Sequence, residues 1–249
     1  MTPGPLLFAR YAYPPNALGL CGADESRTLL EYGTANESDD GLAELAQAFD
    51  GAWPYLVLIA GANGIQDPLD ARVVEAYWVG NSLLERVPAH TLARHVEERF
   101  KGRVGRSWAR IVDAVAAGAM PHHTFHVFAV YPWLGLLRTG DVAQPLSVLD
   151  RCRITPARVE ATDGDSVSVL APALRWDGAL RLGPWERRAA RFEDGGLRFV
   201  MPKPGDWVSL HWDFVCDRLS DAQAAALLRA NECAIAAVNR STGPANVLS

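Results

Sequence analysis

The sequence has few cysteines, no long apolar run and no secretory signal. Four cysteines occur among 249 residues and none forms a CxxC pair, so neither a disulfide framework nor a zinc knuckle is indicated, and reduced thiols are expected. No stretch reaches the ~18 continuous apolar residues of a membrane helix. Residues 1–5 lack the basic and apolar regions of a signal peptide. We therefore expect a cytoplasmic protein that does not enter a membrane.

The chain also lacks a strong excess of charge. Lys and Arg number 24 and Asp and Glu number 29, which gives a formal net charge of -5. Because no basic block is present to neutralise a run of phosphates, nucleic-acid binding is disfavoured. The length is sufficient for one large domain or two ordinary ones, and a hydrophobic content of 49% is typical of globular proteins.

Helical periodicity dominates roughly the first 140 residues. Asp40 can begin a helix whose apolar positions are Leu42, Leu45 and Phe49. The aromatic and β-branched segment 122–133 interrupts this pattern and favours an extended structure. The turn-rich segment 139–145 is the predicted domain boundary.

After Asp150 the periodicity changes toward two. Residues 207–214 alternate as one strand, in which Ser209, His211 and Asp213 would share a face. Ser220 and Gln223 form a capping box that begins a helix. Short strands that close on a terminal helix predict a small OB-like barrel.

The predicted fold class is therefore α+β, with a mainly helical N-terminal domain followed by an OB-like β-barrel and a C-terminal helix. The predicted boundaries are 1–142 for the helical domain, 150–239 for the barrel domain and 240–249 for a flexible tail.

A series of short motifs follows the predicted boundary in a fixed order. Cys152 is followed four residues later by Pro156, and then by a basic and a β-branched residue. An Asp-Gly-Asp turn comes at 163–165, and a strand of Gly-Asp-Trp-Val-Ser-Leu-His ends at His211, before Leu-Ser-Asp at 219–221. In this order and spacing, residues from about 152 to about 239 resemble the HypC/HupF family of small hydrogenase-assembly chaperones.

The resemblance implies an OB-like barrel that carries an iron centre with cyanide and carbonyl ligands, bound transiently, to the hydrogenase large-subunit precursor. A thiolate is a soft ligand suited to low-valent iron, and an imidazole is a suitable partner. Cys152 and His211 are the metal ligands so implied, and we predict that Asp213 hydrogen-bonds the second ring nitrogen of His211. In the family this cysteine follows the initiator methionine, whereas Cys152 is internal and its α-nitrogen is an amide.

These features predict a non-catalytic [NiFe]-hydrogenase maturation chaperone or adaptor, which would bind the large-subunit precursor or other assembly factors. One alternative is a structural accessory subunit that kept the barrel without handling metal. A second is a thiol enzyme with Cys152 as nucleophile and His211 as base. The N-terminal part resembles an uncharacterised bacterial family of helical proteins, which implies no activity.

Three histidines and a Tyr/Asn pair are further candidates. His122 and His126 share a face in a strand or in a helix, and His123 opposes them in a strand. They could begin a metal site, pack in the core or contact a partner. Tyr77 and Asn81 lie four residues apart, and an amide in an apolar stripe needs hydrogen-bond partners. We assign all five as candidate partner-binding residues, with a structural role as the alternative.

Segment 8–21 contains Tyr13, Pro14 and Pro15 and ends at Cys21. This composition predicts a polyproline-like aromatic arm that packs on the helices. Cys21 precedes a candidate helix start, where a thiol can become reactive, or it is a buried structural thiol.

Overall fold

The computed structural model describes residues 2–35, 38–104 and 108–241, without the side chains of 103 and 104. Helices account for most of the chain before residue 153. They are α1 (Gly4–Ala17), α2 (Ser26–Thr34), α3 (Asp40–Gln47), α4 (Trp53–Ala62), α5 (Ala71–Trp78), a 3-10 turn (Leu84–Arg86), α6 (Ala89–Val104), α7 (Trp108–Ala116), α8 (His123–Phe125), a π-helix (His126–Val130), α9 (Trp133–Arg138) and α10 (Ala143–Cys152).

The remainder forms a closed barrel followed by a helix. The elements are β1 (Thr155–Asp163), β2 (Ser166–Trp176), β3 (Leu180–Arg191), β4 (Trp207–His211), β5 (Phe214–Leu219) and α11 (Asp221–Arg240). The strands close in the order β1-β2-β3-β5-β4, which confirms the predicted α+β class with a small OB-like barrel. The predicted capping box of Ser220 and Gln223 begins α11.

Helix α1 replaces the predicted polyproline-like arm, so that prediction is wrong. Leu7, Phe8 and Tyr11 are buried, and their burial favours the helix although Pro14 and Pro15 lie in its last turn. A proline has no N–H to donate to the carbonyl four residues earlier. The carbonyl of Tyr11 is therefore left without its helical donor.

The segment that begins at His122 is helical, so the predicted extended structure is wrong. His122 caps α8, which continues into the π-helix His126–Val130. Phe125, Val127 and Phe128 are fully buried. Apolar residues on all sides of a short segment do not distinguish a buried helix from a buried strand.

The predicted continuous strand over 207–214 is also wrong. Strand β4 ends at His211, and Trp212 and Asp213 form a turn with φ values of 51° and 57° before β5 begins. This left-handed conformation is uncommon for residues other than glycine. It is held in part by the Trp212 N–H, which donates to the Arg151 carbonyl at 2.7 Å.

Packing and hydrogen bonds join the barrel to the helices. The barrel interior contains Val159, Val169, Val208 and Val215, while a larger apolar cluster runs from the helices to one end of the barrel. Helix α1 contacts the barrel through polar side chains as well, because the Tyr11 and Ser209 hydroxyls lie 2.8 Å apart. The division into domains at 1–142 and 150–239 stays a prediction.

Several remaining features bear on the sequence expectations. Helix α10 occupies most of the segment between the predicted domains, and α11 extends to Arg240, while residues 242–249 of the predicted tail lie outside the described residues. All four cysteines are free thiols. Among the helices of the described residues, none combines the length and apolar character needed to cross a bilayer.

Candidate metal centre

Three buried side chains converge where the helices meet the barrel. His123 comes from α8, Cys152 ends α10 and His211 ends β4. One potential ligand atom from each lies within 4.8 Å of the others. We call these residues the triad. The structure therefore places Cys152 and His211 together and adds His123.

Strand register explains why Cys152 and His211 meet. Strands β1 and β4 run antiparallel, with Thr155 opposite Leu210. Residues just before β1 consequently lie beside residues just after Leu210. The hydrogen bond from the Trp212 N–H to the Arg151 carbonyl holds the two chain segments at this point.

A fully buried arginine fixes the chain next to Cys152. The Arg153 guanidinium donates to Asp150 Oδ1 at 2.8 Å, to the Pro172 carbonyl at 2.5 Å and to Asn231 Oδ1 at 3.3 Å. Asp150 also accepts from Arg188 at 2.5 Å. Because a buried charge is costly without partners, these bonds determine the position of the α10–β1 connection.

The His211 imidazole is oriented by helix α1. Its Nδ1 lies 2.7 Å from the Tyr11 carbonyl, which can only accept, so Nδ1 carries the proton. This carbonyl is available because Pro15 cannot donate to it. Burial lowers the His211 pKa to about 4, so the ring is neutral at pH 7. Nε2 has a free lone pair and no hydrogen-bond partner among the described residues.

His123 is likewise held as a neutral imidazole. Its Nε2 lies 3.0 Å from the Cys152 carbonyl and therefore donates to it. Nδ1 is then unprotonated and lies 3.3 Å from the Tyr77 hydroxyl oxygen, whose own proton is donated to the Gly51 carbonyl. Burial, and then the neighbouring His211, lower the His123 pKa well below its usual value.

The Cys152 side chain is a neutral thiol in this environment. Burial raises its pKa, and the Trp212 indole acts in the opposite direction to a smaller extent. A metal ion would bind the thiolate and release the proton. One sulfur and two imidazole nitrogens suit iron, zinc or copper, whereas magnesium and calcium prefer oxygen ligands. The residues present thus fit a transition metal.

Asp213 does not have its predicted position. Its carboxylate pairs with Arg151 Nε at 2.7 Å, and the Arg151 guanidinium lies over the Trp212 ring. The predicted hydrogen bond to His211 is wrong, because Nδ1 of that ring is bonded to Tyr11 and Nε2 has no partner among the described residues. The physical reason is the turn, which takes Asp213 out of the β4 strand.

The other candidate residues have structural contacts. His122 accepts the Thr124 N–H at 3.1 Å, and His126 Nδ1 lies 3.2 Å from the Tyr55 hydroxyl. Asn81 donates to the Arg72 carbonyl and accepts the Leu83 N–H, which stabilises a turn. His122, His123, His126 and Tyr77 are all buried. These four therefore contribute to the interior and not to an exposed docking surface.

A cavity of about 440 Å³ adjoins the triad. His123 and His211 line it together with His126, Tyr131 and Cys21. Burial raises the Cys21 pKa, which is the opposite of what a reactive thiol near a helix start requires. The cavity gives the triad a neighbouring space of a size typical for a small molecule.

Sequence reasoning missed two parts of this site. His123 was recognised only as one of three neighbouring histidines, because its contact with Cys152 depends on how α8 packs against the end of α10. The Tyr11 carbonyl carries no side-chain signal, although the proline four residues later indicates an unpaired carbonyl if the segment is helical.

Fold and site together define a mixed helical and β-barrel protein with a buried His-Cys-His cluster. The chain belongs to a family of unknown function (DUF6390), whose model matches residues 1–245 and so includes both the helices and the barrel. No curated protein and no solved structure matches the chain.

Proposed function

We propose that this protein binds a transition metal, iron in the first place, through His123, Cys152 and His211, and that it acts as a chaperone or adaptor in [NiFe]-hydrogenase maturation. The observation that carries the proposal is the convergence of three neutral, buried donor groups within 4.8 Å. Two of the three come from the motifs that resemble the HypC/HupF family.

The protonation states support metal binding. Both imidazoles are neutral at pH 7, and each uses one nitrogen in a hydrogen bond to a backbone carbonyl, which leaves the other with a lone pair. A hydrogen bond of this kind fixes the tautomer and orientation of histidine ligands in metal proteins. The tautomers and orientations of the two rings are therefore set before a metal arrives.

The resemblance supports the role in assembly. It implies that the cargo is iron with cyanide and carbonyl ligands and that the partners are the large-subunit precursor or assembly factors. Cys152 is internal, so the thiol is retained but the terminal amine of the family is not. The proposed cytoplasmic location follows from the same role.

Burial supports a second candidate function. Cys152 is only 4% exposed and the Arg153 network fixes its backbone, which also suits a structural accessory subunit without metal. A thiol enzyme is less well supported, because a raised pKa keeps Cys152 in the weakly nucleophilic thiol form.

Metal titration of the full chain distinguishes these functions. Purified metal-free protein is titrated without oxygen with Fe(II), and with Co(II) as a spectroscopic probe, and the affinity and stoichiometry are measured. We expect one ion per chain and a thiolate-to-metal absorption band. Cys152→Ala and His211→Ala should weaken binding by more than the about 10- to 100-fold expected for loss of an outer-shell partner.

Cys216→Ala is the matched control, because Cys216 is also a buried free thiol but lies outside the triad. Its affinity should equal that of the unaltered chain. Equal affinities for Cys152→Ala and the control would overturn the metal site and favour the structural subunit.

Affinity purification tests the assembly role separately. The tagged chain is expressed in cells that make [NiFe]-hydrogenase, and co-purified proteins are identified by mass spectrometry. We expect the large-subunit precursor or another assembly factor. Repeated recovery of neither would contradict the maturation role, even if the metal site binds iron.

A further inference from the structure

The cavity beside the triad has predominantly aromatic and apolar walls. Phe49, Trp78 and Phe100 line it, together with small apolar residues of α1 and of the loop before α4. At about 440 Å³ it is within the range of small-molecule sites. Such walls favour an apolar ligand body, and a few polar groups then determine its orientation.

His126 provides one of these polar groups. The Tyr55 hydroxyl lies 3.2 Å from Nδ1 of His126 and has no other hydrogen bond in the described part of the chain. Donation from this hydroxyl to Nδ1 satisfies both groups, and in that tautomer the neutral ring carries its own proton on Nε2. Burial lowers the His126 pKa to about 3, which keeps the ring neutral at pH 7. His126 thus has an N–H donor without a described acceptor.

Tyr131 provides a second donor at the same place. A Cβ added at Gly51 would lie 3.2 Å from His126 Nε2 and 3.6 Å from the Tyr131 hydroxyl oxygen. Both atoms therefore border the space that a side chain at position 51 would occupy. The hydroxyl has a weak contact with Cys21 Sγ at 3.8 Å, which a better acceptor can displace.

Charge favours an uncharged ligand. Asp50 is an acidic residue in the cavity wall, and no Lys or Arg is among the described residues that line it. His126 in the wall is neutral at pH 7 because burial lowers its pKa. A carboxylate or phosphate would enter without a compensating cation, at a substantial desolvation cost.

We propose that this cavity binds a small uncharged molecule whose carbonyl-type oxygen accepts hydrogen bonds from His126 Nε2–H and the Tyr131 hydroxyl beside Gly51. The apolar body of the ligand packs against the aromatic walls. Binding at this donor pair does not require a metal at the triad, so the inference stands apart from the proposed function.

Calorimetric titration of the metal-free full chain with three probes tests the ligand class. Acetophenone has an uncharged carbonyl, ethylbenzene lacks the acceptor and benzoate carries a charge. Acetophenone should bind more tightly than ethylbenzene by about 2- to 10-fold for each hydrogen bond, and more tightly than benzoate. Equal affinity for acetophenone and ethylbenzene would overturn the donor pair, and tightest binding of benzoate would overturn the uncharged class.

Two variants with matched controls test the location. Tyr131→Phe should reduce acetophenone affinity by about 2- to 10-fold and leave ethylbenzene unchanged, whereas Tyr32→Phe removes a hydroxyl outside the cavity and should have no effect. Gly51→Ala should weaken acetophenone further by filling the space, while Gly61→Ala adds a methyl group to open space.

Circular dichroism and thermal unfolding check that each variant folds. If Gly51→Ala fails to fold, Tyr131→Phe decides the question alone. Acetophenone affinity that is unchanged in Tyr131→Phe would refute the proposed site.

Discussion

The buried N-cap residue His122 should make the protein sensitive to acid. In the folded chain its Nδ1 accepts the Thr124 N–H at 3.1 Å, so the neutral ring carries its proton on Nε2. Burial lowers its pKa from 6.5 to about 4. Asparagine is a strong N-cap residue and does not titrate. His122→Asn should therefore keep the cap and remove this part of the acid sensitivity.

The magnitude follows from the difference between folded and unfolded pKa values. The unfolded chain protonates His122 below about pH 6.5, whereas the folded chain does so only below about pH 4. Because the unfolded chain binds this proton more readily, the free energy of unfolding decreases as the pH falls from 6.5 toward 4, whereas above pH 6.5 His122 causes little change. One pKa unit corresponds to about 1.4 kcal/mol. The His122 ring should therefore lower the free energy of unfolding by about 2 kcal/mol at pH 5, relative to pH 8.

Urea unfolding at pH 8 and pH 5 measures the effect. For each variant, the free energy of unfolding at pH 5 is subtracted from that at pH 8, which cancels the packing cost of the smaller side chain. Between pH 8 and pH 5, the free energy of unfolding of His122→Asn should fall by about 2 kcal/mol less than that of the unaltered chain. His90→Asn changes an exposed histidine of α6 and is the control. An identical loss in His122→Asn and the unaltered chain would refute the reasoning.

Two further substitutions test the supports of the triad. Asp150→Ala leaves the buried Arg153 without its carboxylate and should lower the free energy of unfolding, measured in urea, by about 3–5 kcal/mol. Glu160→Ala breaks an exposed pair and should lower it far less. Equal losses would contradict the network. Pro15→Ala supplies an N–H that competes with His211 for the Tyr11 carbonyl, so the Co(II) affinity measured by titration should fall about 10-fold. Pro14→Ala is the control and should leave the Co(II) affinity unchanged. Unaltered affinity in Pro15→Ala would argue against this orienting role.

Local signals predicted the fold class. The capping box of Ser220 and Gln223 and the period-two segments indicated a barrel closed by a helix, and both are present. The turn at Trp212 and Asp213 could not be predicted, because neither residue is a glycine and the alternation continues through them. Its conformation depends on a hydrogen bond to Arg151, which is distant in sequence.

The candidate site was predictable only where motifs mark it. The strand ending at His211 and the cysteine before Pro156 identified two members of the triad. His123 joins them through packing of α8 on the end of α10, a contact between separate segments that no local pattern encodes. The buried Arg153 network is also non-local, since its partners come from α10, β2 and α11.

The wide separation of His123, Cys152 and His211 along the chain has a consequence for folding. A metal held by all three would act as a cross-link between α8, the end of α10 and the end of β4. Closing the two intervening loops costs entropy that the unfolded chain retains, so complete coordination requires the helices and the barrel to be assembled already. Metal loading would thus occur only on a correctly folded chain, and the bound ion would in turn oppose separation of its two parts.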